Sequence, residues 1–411
     1  MKSSNIAGRV HNRTKGQRMK RIKQAATGLL LLMTATHGAW AAVTCRPYSA
    51  DVPRIDTVPL TPATISAGFD MPNGTILYQG RWSVGMSQPS QISCTTNLTQ
   101  TEVMYYNYAF ILQNAPLGIS NWAGSPFGGA VYKTSVPGIG VAISWGNTSY
   151  GVTAGSPVFS VTNESVNVLP SVGVSTSITH VVRYVSLIKI GDLTPGSYNL
   201  LAADLPSFRM FFANPSNGPV VTGFPITTNI VQFQGQLNIT TNTCKATDVN
   251  VDMGSHEKLT AFTGVGSTTP WKDASITLTD CPAFAGYYNN SNSVLLFDYS
   301  TGGGSSVPAS KNNNVGVRLT PSTSVINSAN GIMATDTSRP NSALGIGIQV
   351  GWGSVSGSPA LFDFATEKLF QLPKDGRTEI KIPLAARYIQ TDVMVTPGTA
   401  DGKAVFLINY Y

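Results

Sequence analysis

Hydrophobic and polar residues alternate with a period of two at several places in the second half of the chain. The clearest run covers residues 231–239, whose odd positions are Val, Phe, Gly, Leu and Ile and whose even positions are Gln or Asn. Because side chains of a strand point alternately to two faces, this pattern predicts a half-buried β-strand. Shorter runs of the same kind occupy residues 276–278, 344–350 and 380–384.

The last eight residues form the most informative run, because one of its two faces is wholly apolar. That face consists of Ala404, Phe406, Ile408 and Tyr410, and the alternate positions are Val405, Leu407, Asn409 and Tyr411. The chain stops while the pattern is still that of a strand. Since a strand in a sandwich normally has a neighbour that covers it, we expect an uncovered strand at this end.

The first half carries less regular strand patterns, at 76–78, 104–112, 141–145, 177–190 and 208–212, separated by turn sequences at 72–74, 137–138 and 195–196. Only 11% of the residues are charged, and 40 are Gly. This composition favours short strands and turns over surface helices. The fold class predicted from these patterns is all-β, with two β-sandwich domains, of which the first is a jelly-roll or lectin-like sandwich.

A turn-rich stretch divides the two halves, beginning with the sequence Asn-Pro-Ser-Asn-Gly-Pro at 214–219. We predict a first domain at 42–220, a linker at 221–229 and a second domain at 230–411.

Residues 1–41 account for the positive charge of the chain. Eight of the 27 Lys and Arg lie there with no acidic residue, so the remainder has 19 bases against 20 acids and offers no signal for nucleic-acid binding. A basic start, a short apolar run and small residues up to Ala41 predict a secretory signal peptide cut after Ala41. The alternative, a membrane anchor, would need a longer apolar stretch of about 18–20 residues.

The four cysteines allow three pairings, and their clustering favours two disulfides, Cys45–Cys94 and Cys244–Cys281. A zinc site is the weaker interpretation, because neither a CxxC sequence nor clustered histidines accompany them. No enzyme signature is found either. The two histidines after residue 41, His180 and His256, lie in different predicted domains, and no GxSxG or phosphate-binding loop occurs. We therefore predict no catalytic residue, metal or cofactor.

The second half resembles the pilin domain of chaperone/usher fimbriae. The resemblance rests on VQFQG (231–235), Cys244, VNVDMG (249–254), Trp271, SITLTDC (275–281), ALGIGI (343–348), PLAARY (383–388) and GKAVFLINYY (402–411). It implies an immunoglobulin-like sandwich that lacks its last strand. It also implies that a periplasmic chaperone, and after passage through an outer-membrane usher an adjacent subunit, lends a strand beside Ala404, Phe406, Ile408 and Tyr410, with the Tyr411 carboxylate held by basic residues of the chaperone.

The chain departs from an ordinary pilin in having a domain-sized segment where a short donor strand is expected. The resemblance then implies a two-domain adhesin at the fimbrium tip, exported through the periplasm. The sequence YKTSVPGIG at 132–140 is also similar to amino-terminal domains of that kind. The alternative is a non-adhesive structural subunit whose extra domain serves assembly or anchoring.

Adhesins of this kind commonly bind host glycans, which need polar groups for hydroxyls and an aromatic face for the ring. Two stretches of the first domain offer both, and the candidate residues are Asn121, Trp122, Trp145, Asn147 and Tyr150. In the alternative interpretation, Trp122 and Trp145 are packing residues. A protein receptor would leave no sharper signature.

Overall fold

The computed structural model describes residues 42–85 and 90–411. The predicted signal peptide lies outside these residues. In the described part nearly all regular structure is β, which confirms the predicted all-β class. One short helix, α1, covers Lys258–Ala261, and single 3-10 turns cover Ala202–Asp204 and Tyr299–Thr301. No helix of the described residues has the length and apolar character needed to cross a membrane.

The strands of the first part of the chain are β1 (Val43–Pro47), β2 (Arg54–Pro59), β3 (Thr64–Ser66), β4 (Ile76–Val84), β5 (Ser90–Thr96), β6 (Glu102–Asn114), β7 (Tyr132–Lys133), β8 (Ile139–Ser144), β9 (Val158–Val168), β10 (Val174–Ile178), β11 (Val181–Lys189), β12 (Ser197–Leu201), β13 (Ser207–Ala213), β14 (Ile226–Gln234) and β15 (Gln236–Thr240).

The remaining strands are β16 (Lys245–Ala246), β17 (Lys272–Asp273), β18 (Ile276–Thr279), β19 (Val294–Asp298), β20 (Gly304–Ser306), β21 (Asn314–Pro321), β22 (Val325–Asn327), β23 (Ile332–Ala334), β24 (Ile346–Trp352), β25 (Ala360–Leu361), β26 (Lys368–Gln371), β27 (Ile380–Ile382), β28 (Leu384–Gln390) and β29 (Ala404–Tyr410).

Two larger sheets pack against each other in the first part of the chain. Their strand orders are β20-β19-β4-β11-β8-β7 and β2-β14-β13-β6-β9, and the same part of the chain contributes two small sheets, β1-β5-β10 and β12-β15-β3. The core between them is rich in aromatic rings; those of Trp82 and Phe208, for example, meet edge to face with centroids 6.2 Å apart. Such aromatic pairs bury much apolar area in a fixed geometry and so stabilise the packing of the two large sheets.

The second part of the chain contains the sheets β17-β28-β24-β23-β22, β16-β18-β27 and β26-β21-β29, with β25 beside β24. Leu278, Val317 and Phe362 are fully buried in its main core, and a smaller core forms around Ile348 and Tyr388. Both predicted disulfides are present, Cys45–Cys94 and Cys244–Cys281. Cys45 and Cys94 lie opposite each other on β1 and β5, whereas Cys244 and Cys281 lie next to the paired strands β16 and β18.

The predicted boundaries, a linker at 221–229 and a second domain from residue 230, do not coincide with the pairing of the strands. The run at 231–239 is extended, as predicted, but the chain turns at Gly235 (φ 86°) and forms two strands. Strand β14 lies between β13 and β2, and β15 lies between β12 and β3. Residues 226–240 therefore complete sheets of the first part. Their alternation fixes which side chains are buried, but it carries no information about the neighbouring strands.

A second segment also crosses between the two parts. Residues 285–311, here called the arm, leave the second part, and their strands β19 and β20 extend the six-stranded sheet beyond β4, with β19 parallel to β4. Val294 and Leu296 of the arm are fully buried in the first core. The ring of Tyr288 meets that of Tyr78 edge to face, with centroids 6.4 Å apart. The two parts are thus joined by shared sheets as well as by the chain.

Candidate functional site

The last strand, β29, has a free edge. It pairs antiparallel with β21 through seven residue pairs, and no other strand of the described residues pairs with it. Tyr411 and Asn314 exchange two backbone hydrogen bonds, each 2.8 Å long. Because such hydrogen-bonded pairs alternate along an antiparallel ladder, the backbone groups of Ala404, Phe406 and Ile408 point away from β21. This part of the edge has donors and acceptors available for a further strand.

The side chains of β29 divide as predicted between two faces. Val405 and Leu407 are exposed, whereas Phe406 and Ile408 are half-buried against the main core of the second part, and Ala404 is half-buried against the smaller one. Partial burial of three apolar side chains on the inner face is what an uncovered strand of a sandwich should show.

Residues 247–256 pack against the same cores without forming a strand. Val249 contacts the main core and Met253 contacts the smaller one. In the part of the chain that the structure describes, no backbone group of 247–256 bonds to another backbone group. Unpaired backbone therefore occurs here as well as at the edge of β29.

The far end of β29 is occupied by residues that sequence reasoning missed. The backbone N–H of Asp70 donates to the Tyr410 carbonyl, and the Tyr410 N–H donates to Asp70 Oδ2, both at 2.8 Å. A carboxylate oxygen of Tyr411 accepts from the side chain of Asn313 at 3.3 Å. The predicted strand-acceptor residues are thus of two kinds: Ala404, Phe406 and Ile408 have free edge groups, and Tyr410 and Tyr411 are in contact with other segments.

Three of the predicted ligand residues, Trp145, Asn147 and Tyr150, lie exposed on a tight loop after β8. Trp145 and Tyr150 are 39% and 64% exposed, and their ring centroids lie 5.3 Å apart. The loop closes through a hydrogen bond from Trp145 N to Tyr150 O (3.2 Å). Below it, the fully buried Gln79 donates from Nε2 to the Asn147 carbonyl at 2.6 Å and to the Ser186 hydroxyl at 2.9 Å. These bonds hold the loop on the sheet and present both rings to solvent.

The other two predicted ligand residues lie elsewhere. Trp122 is half-buried beside Phe127 and Val131, and its Nε1 donates to the Pro126 carbonyl at 3.0 Å. Asn121 is exposed. The structure shows no contact between Trp122 and Trp145, so the two predicted stretches do not form one cluster. Trp122 has the packing role that the alternative interpretation gave it.

A row of polar residues borders the aromatic loop. Tyr184 of β11 lies opposite both Arg81 of β4 and Ser144 of β8, and both Tyr184 and Arg81 are half-buried. The pKa of Asp298, on the arm, lies below its ordinary value, chiefly because the Ser300 hydroxyl donates to its carboxylate, with a smaller contribution from the Arg81 charge. No local sequence pattern predicts this row, because its residues come from strands far apart in the chain.

No group of three potential metal-binding side chains occurs among the described residues. Residues 231–411 match the family model described as fimbrial protein. The carboxy-terminal part of this chain is thus similar to the fimbrial protein family, and residues 231–411 are called the fimbrial domain below. The match starts at Val231 in β14, a strand that pairs with β13 and β2 of the first part of the chain. It ends with β29, the strand that has the free edge. The resemblance to fimbrial proteins that the sequence predicted is confirmed.

Solved structures similar to the chain include a tip adhesin and a pilus rod subunit. The CupB6 tip adhesin from Pseudomonas aeruginosa is 15% identical over 90% of this chain and 94% of that chain, with a TM-score of 0.31. The P pilus rod subunit PapA is 20% identical over 41% of this chain and 99% of that chain, with a TM-score of 0.28. The latter covers about as much of the chain as the fimbrial domain does.

A third similar structure is the CsuC-CsuE chaperone-tip adhesion subunit complex of Acinetobacter baumannii, which is 11% identical over 89% of this chain and 100% of that chain, with a TM-score of 0.23. At these identities and TM-scores the similarities carry no argument about function. No curated protein matches the chain.

Proposed function

We propose that this chain is a fimbrial tip adhesin, a binding protein and not an enzyme, exported through the periplasm. The observation that carries the proposal is the free edge of β29 in a fimbrial domain: three apolar residues face a partly covered core, and their backbone groups have no strand beside them. The occupant is an extended strand of an adjacent fimbrial subunit, and a periplasmic chaperone precedes it before passage through the outer-membrane usher.

The amino-terminal part is proposed to bind a host glycan. Two features support this: most of residues 42–240 fold into sheets around their own core, and the loop at 144–151 presents an exposed aromatic pair beside polar side chains. A sugar ring can pack its C–H face on Trp145 or Tyr150 while its hydroxyls bond to groups such as Tyr184 and Arg81. A large domain in the place of a short donor strand supports a position at the fimbrium tip.

The test is glycan-array binding by the chain from residue 42 to 411, complexed with its chaperone. The fragment 42–220 is unsuitable, because it lacks strands β14, β15 and β19 of the amino-terminal sheets. The variants are Trp145→Ala and Tyr150→Asn; asparagine suits position 150, whose φ of 55° is left-handed. The matched control is Tyr48→Ala, since Tyr48 is also an exposed aromatic (54%).

We expect both loop variants to lose at least about tenfold in affinity, equivalent to about 1.4 kcal/mol, while Tyr48→Ala binds like the wild type. Equal binding by all variants would move the site away from this loop. Two results together would instead favour the non-adhesive structural subunit. The wild type would bind no glycan, and cells that produce the protein without its amino-terminal part would adhere as well as before.

A further inference from the structure

The free edge of β29 ends abruptly at Tyr410. Asp70 donates its backbone N–H to the Tyr410 carbonyl and accepts the Tyr410 N–H on its carboxylate, both at 2.8 Å. These two backbone groups are the ones that the next residue of a neighbouring strand would use. Asp70, from the amino-terminal part, therefore occupies the position that one residue of an added strand would take beside Tyr410.

Asp70 is held in place by close packing just before it. Gly68 lies so near the end of the chain that a Cβ there would overlap the carboxylate carbon of Tyr411. Phe69 is half-buried against both the amino-terminal core and the main core of the fimbrial domain. The segment 66–70, here called the stop segment, thus fills the space beside the last two residues.

The stop segment is also bonded to the fimbrial domain away from β29. Asn313, which is 2% exposed, donates from Nδ2 to the Ser66 carbonyl at 3.1 Å and to a Tyr411 carboxylate oxygen at 3.3 Å. Ser66 donates its N–H to the Gly286 carbonyl at 2.8 Å and accepts the Ala285 N–H on its hydroxyl at 2.9 Å. An incoming strand would have to break several buried bonds to pass Ile408.

We propose that the stop segment sets the register of the strand that β29 accepts. The incoming strand pairs along residues 404–408, about 17 Å of edge, and ends opposite Ile408 with Asp70 still bonded to Tyr410. A one-residue shift of a strand reverses its two faces, so a fixed end also fixes which side chains enter the core. This inference rests on the proposed acceptance of a strand by the fimbrial domain.

The first experiment needs no partner. Hydrogen exchange on residues 42–411 should show a protected amide at Tyr410 and unprotected amides at Phe406 and Ile408. Gly68→Ala should lower the protection of Tyr410 by about tenfold, because the added methyl group displaces the stop segment and removes the hydrogen bond to Asp70. The matched control is Gly155→Ala, where a Cβ meets nothing within 4 Å and the protection should be unchanged.

The second experiment maps the register with a defined probe, the peptide Lys-Thr-Val-Thr-Val-Thr-Val-Thr-Lys carrying a photo-crosslinker at one end or the other. With the wild type and Gly155→Ala, crosslinks should extend no further than Ile408. With Gly68→Ala they should extend to Tyr410 and Tyr411. The same limit at Ile408 in Gly68→Ala would overturn the inference, because something other than the stop segment would then end the strand.

Two further outcomes separate the inference from the function on which it rests. Crosslinks to Tyr411 in the wild type would overturn the register stop and leave strand acceptance intact. A peptide that binds neither protein at β29 would contradict strand acceptance itself, and the register stop with it. Unprotected Tyr410 in the wild-type exchange experiment would sink the register stop alone.

Discussion

Leu296 of the arm lies directly over Gly80 of β4. A Cβ at Gly80 would come within 2.3 Å of Leu296 Cδ1, so the leucine fills the space that the glycine leaves open. Leu296 belongs to the region matched by the fimbrial family, and yet its side chain is fully buried in the amino-terminal core. This contact makes the stability of the amino-terminal part depend on a residue about 200 positions away.

The change Leu296→Ala should lower the free energy of unfolding by about 2–5 kcal/mol, because it removes buried methyl groups and leaves a cavity. Denaturant unfolding followed by tryptophan fluorescence measures the change, since Trp82 lies on the same strand as Gly80. The control is Leu369→Ala, at a leucine that is 60% exposed, where the change should stay within about 0.5 kcal/mol. Equal effects of the two substitutions would contradict the placement of the arm.

The fragment 42–220 should not unfold cooperatively. Strand β14 lies between β13 and β2, so its removal leaves β2 without a partner and opens one edge of β13, and the loss of β19 uncovers the edge of the other large sheet. Thermal unfolding followed by circular dichroism checks this, with residues 42–411 as the reference. A sharp transition in the fragment would show that the first 220 residues are an independent domain.

Asp56 is a buried carboxylate (3% exposed) that accepts from Trp82 Nε1 at 3.0 Å and from Arg54 Nε at 3.3 Å. Asp56→Ala should destabilise the protein by about 1.5–3 kcal/mol, because both donors lose a charged acceptor. Asp56→Asn retains an acceptor for Trp82 Nε1, so it should destabilise the protein less than Asp56→Ala does. Chemical denaturation of the three proteins tests this order, and equal stability of the wild type and the alanine variant would contradict it.

The same residue predicts a dependence of stability on pH. Burial, the largest cause, raises the pKa of Asp56 above its ordinary value, despite the opposing charge of Arg54. With the pKa higher in the folded than in the unfolded state, the stabilising contribution is complete below the unfolded pKa and is lost as the pH rises through the folded pKa. The difference in free energy of unfolding between the wild type and Asp56→Asn should therefore shrink as the pH is raised from acid towards neutrality. Denaturant titrations of both proteins at several pH values measure this difference.

Phe406→Glu should abolish capture of the alternating peptide described above, whereas Leu407→Glu should leave it within about twofold of the wild type. Phe406 faces the core on the inner side of β29, and a charge there opposes insertion of an apolar strand. Leu407 is 55% exposed on the outer face. Fluorescence titration with a labelled peptide gives the affinities, and melting curves establish that both variants fold. If only Leu407→Glu lost peptide binding, the peptide would bind on the outer face of β29, which would contradict the proposed acceptor surface.

Local patterns predicted the features that depend on neighbouring residues in the chain. The alternation at 404–411 gave both the strand β29 and its inward side chains, and the spacing of the cysteines gave both disulfides. Small departures have local causes. The predicted run at 177–190 is divided at His180 (φ 56°), and the run at 344–350 begins as a strand only at Ile346, after Gly345 (φ 78°).

What the sequence did not predict is which strands become neighbours. Strand β14 was predicted as a strand but not as the partner of β13 and β2, because alternation specifies faces and not pairing. Asp70 was missed because it meets Tyr410 across 340 positions of sequence. The candidate ligand residues divide for the same reason: Trp145 and Tyr150 meet through one tight loop, whereas Trp122 has no local link to them.

The position of β19 in the amino-terminal sheet interlocks the two parts of the molecule. The chain leaves the amino-terminal sheets after β15, enters the fimbrial domain, returns through the arm and leaves again. A protease that cuts one peptide bond between residues 247 and 256 would therefore yield two fragments on a reducing denaturing gel that still elute together from a sizing column after the Cys244–Cys281 disulfide has been reduced. The amino-terminal part would therefore stay attached to the fimbrial domain after a single nick.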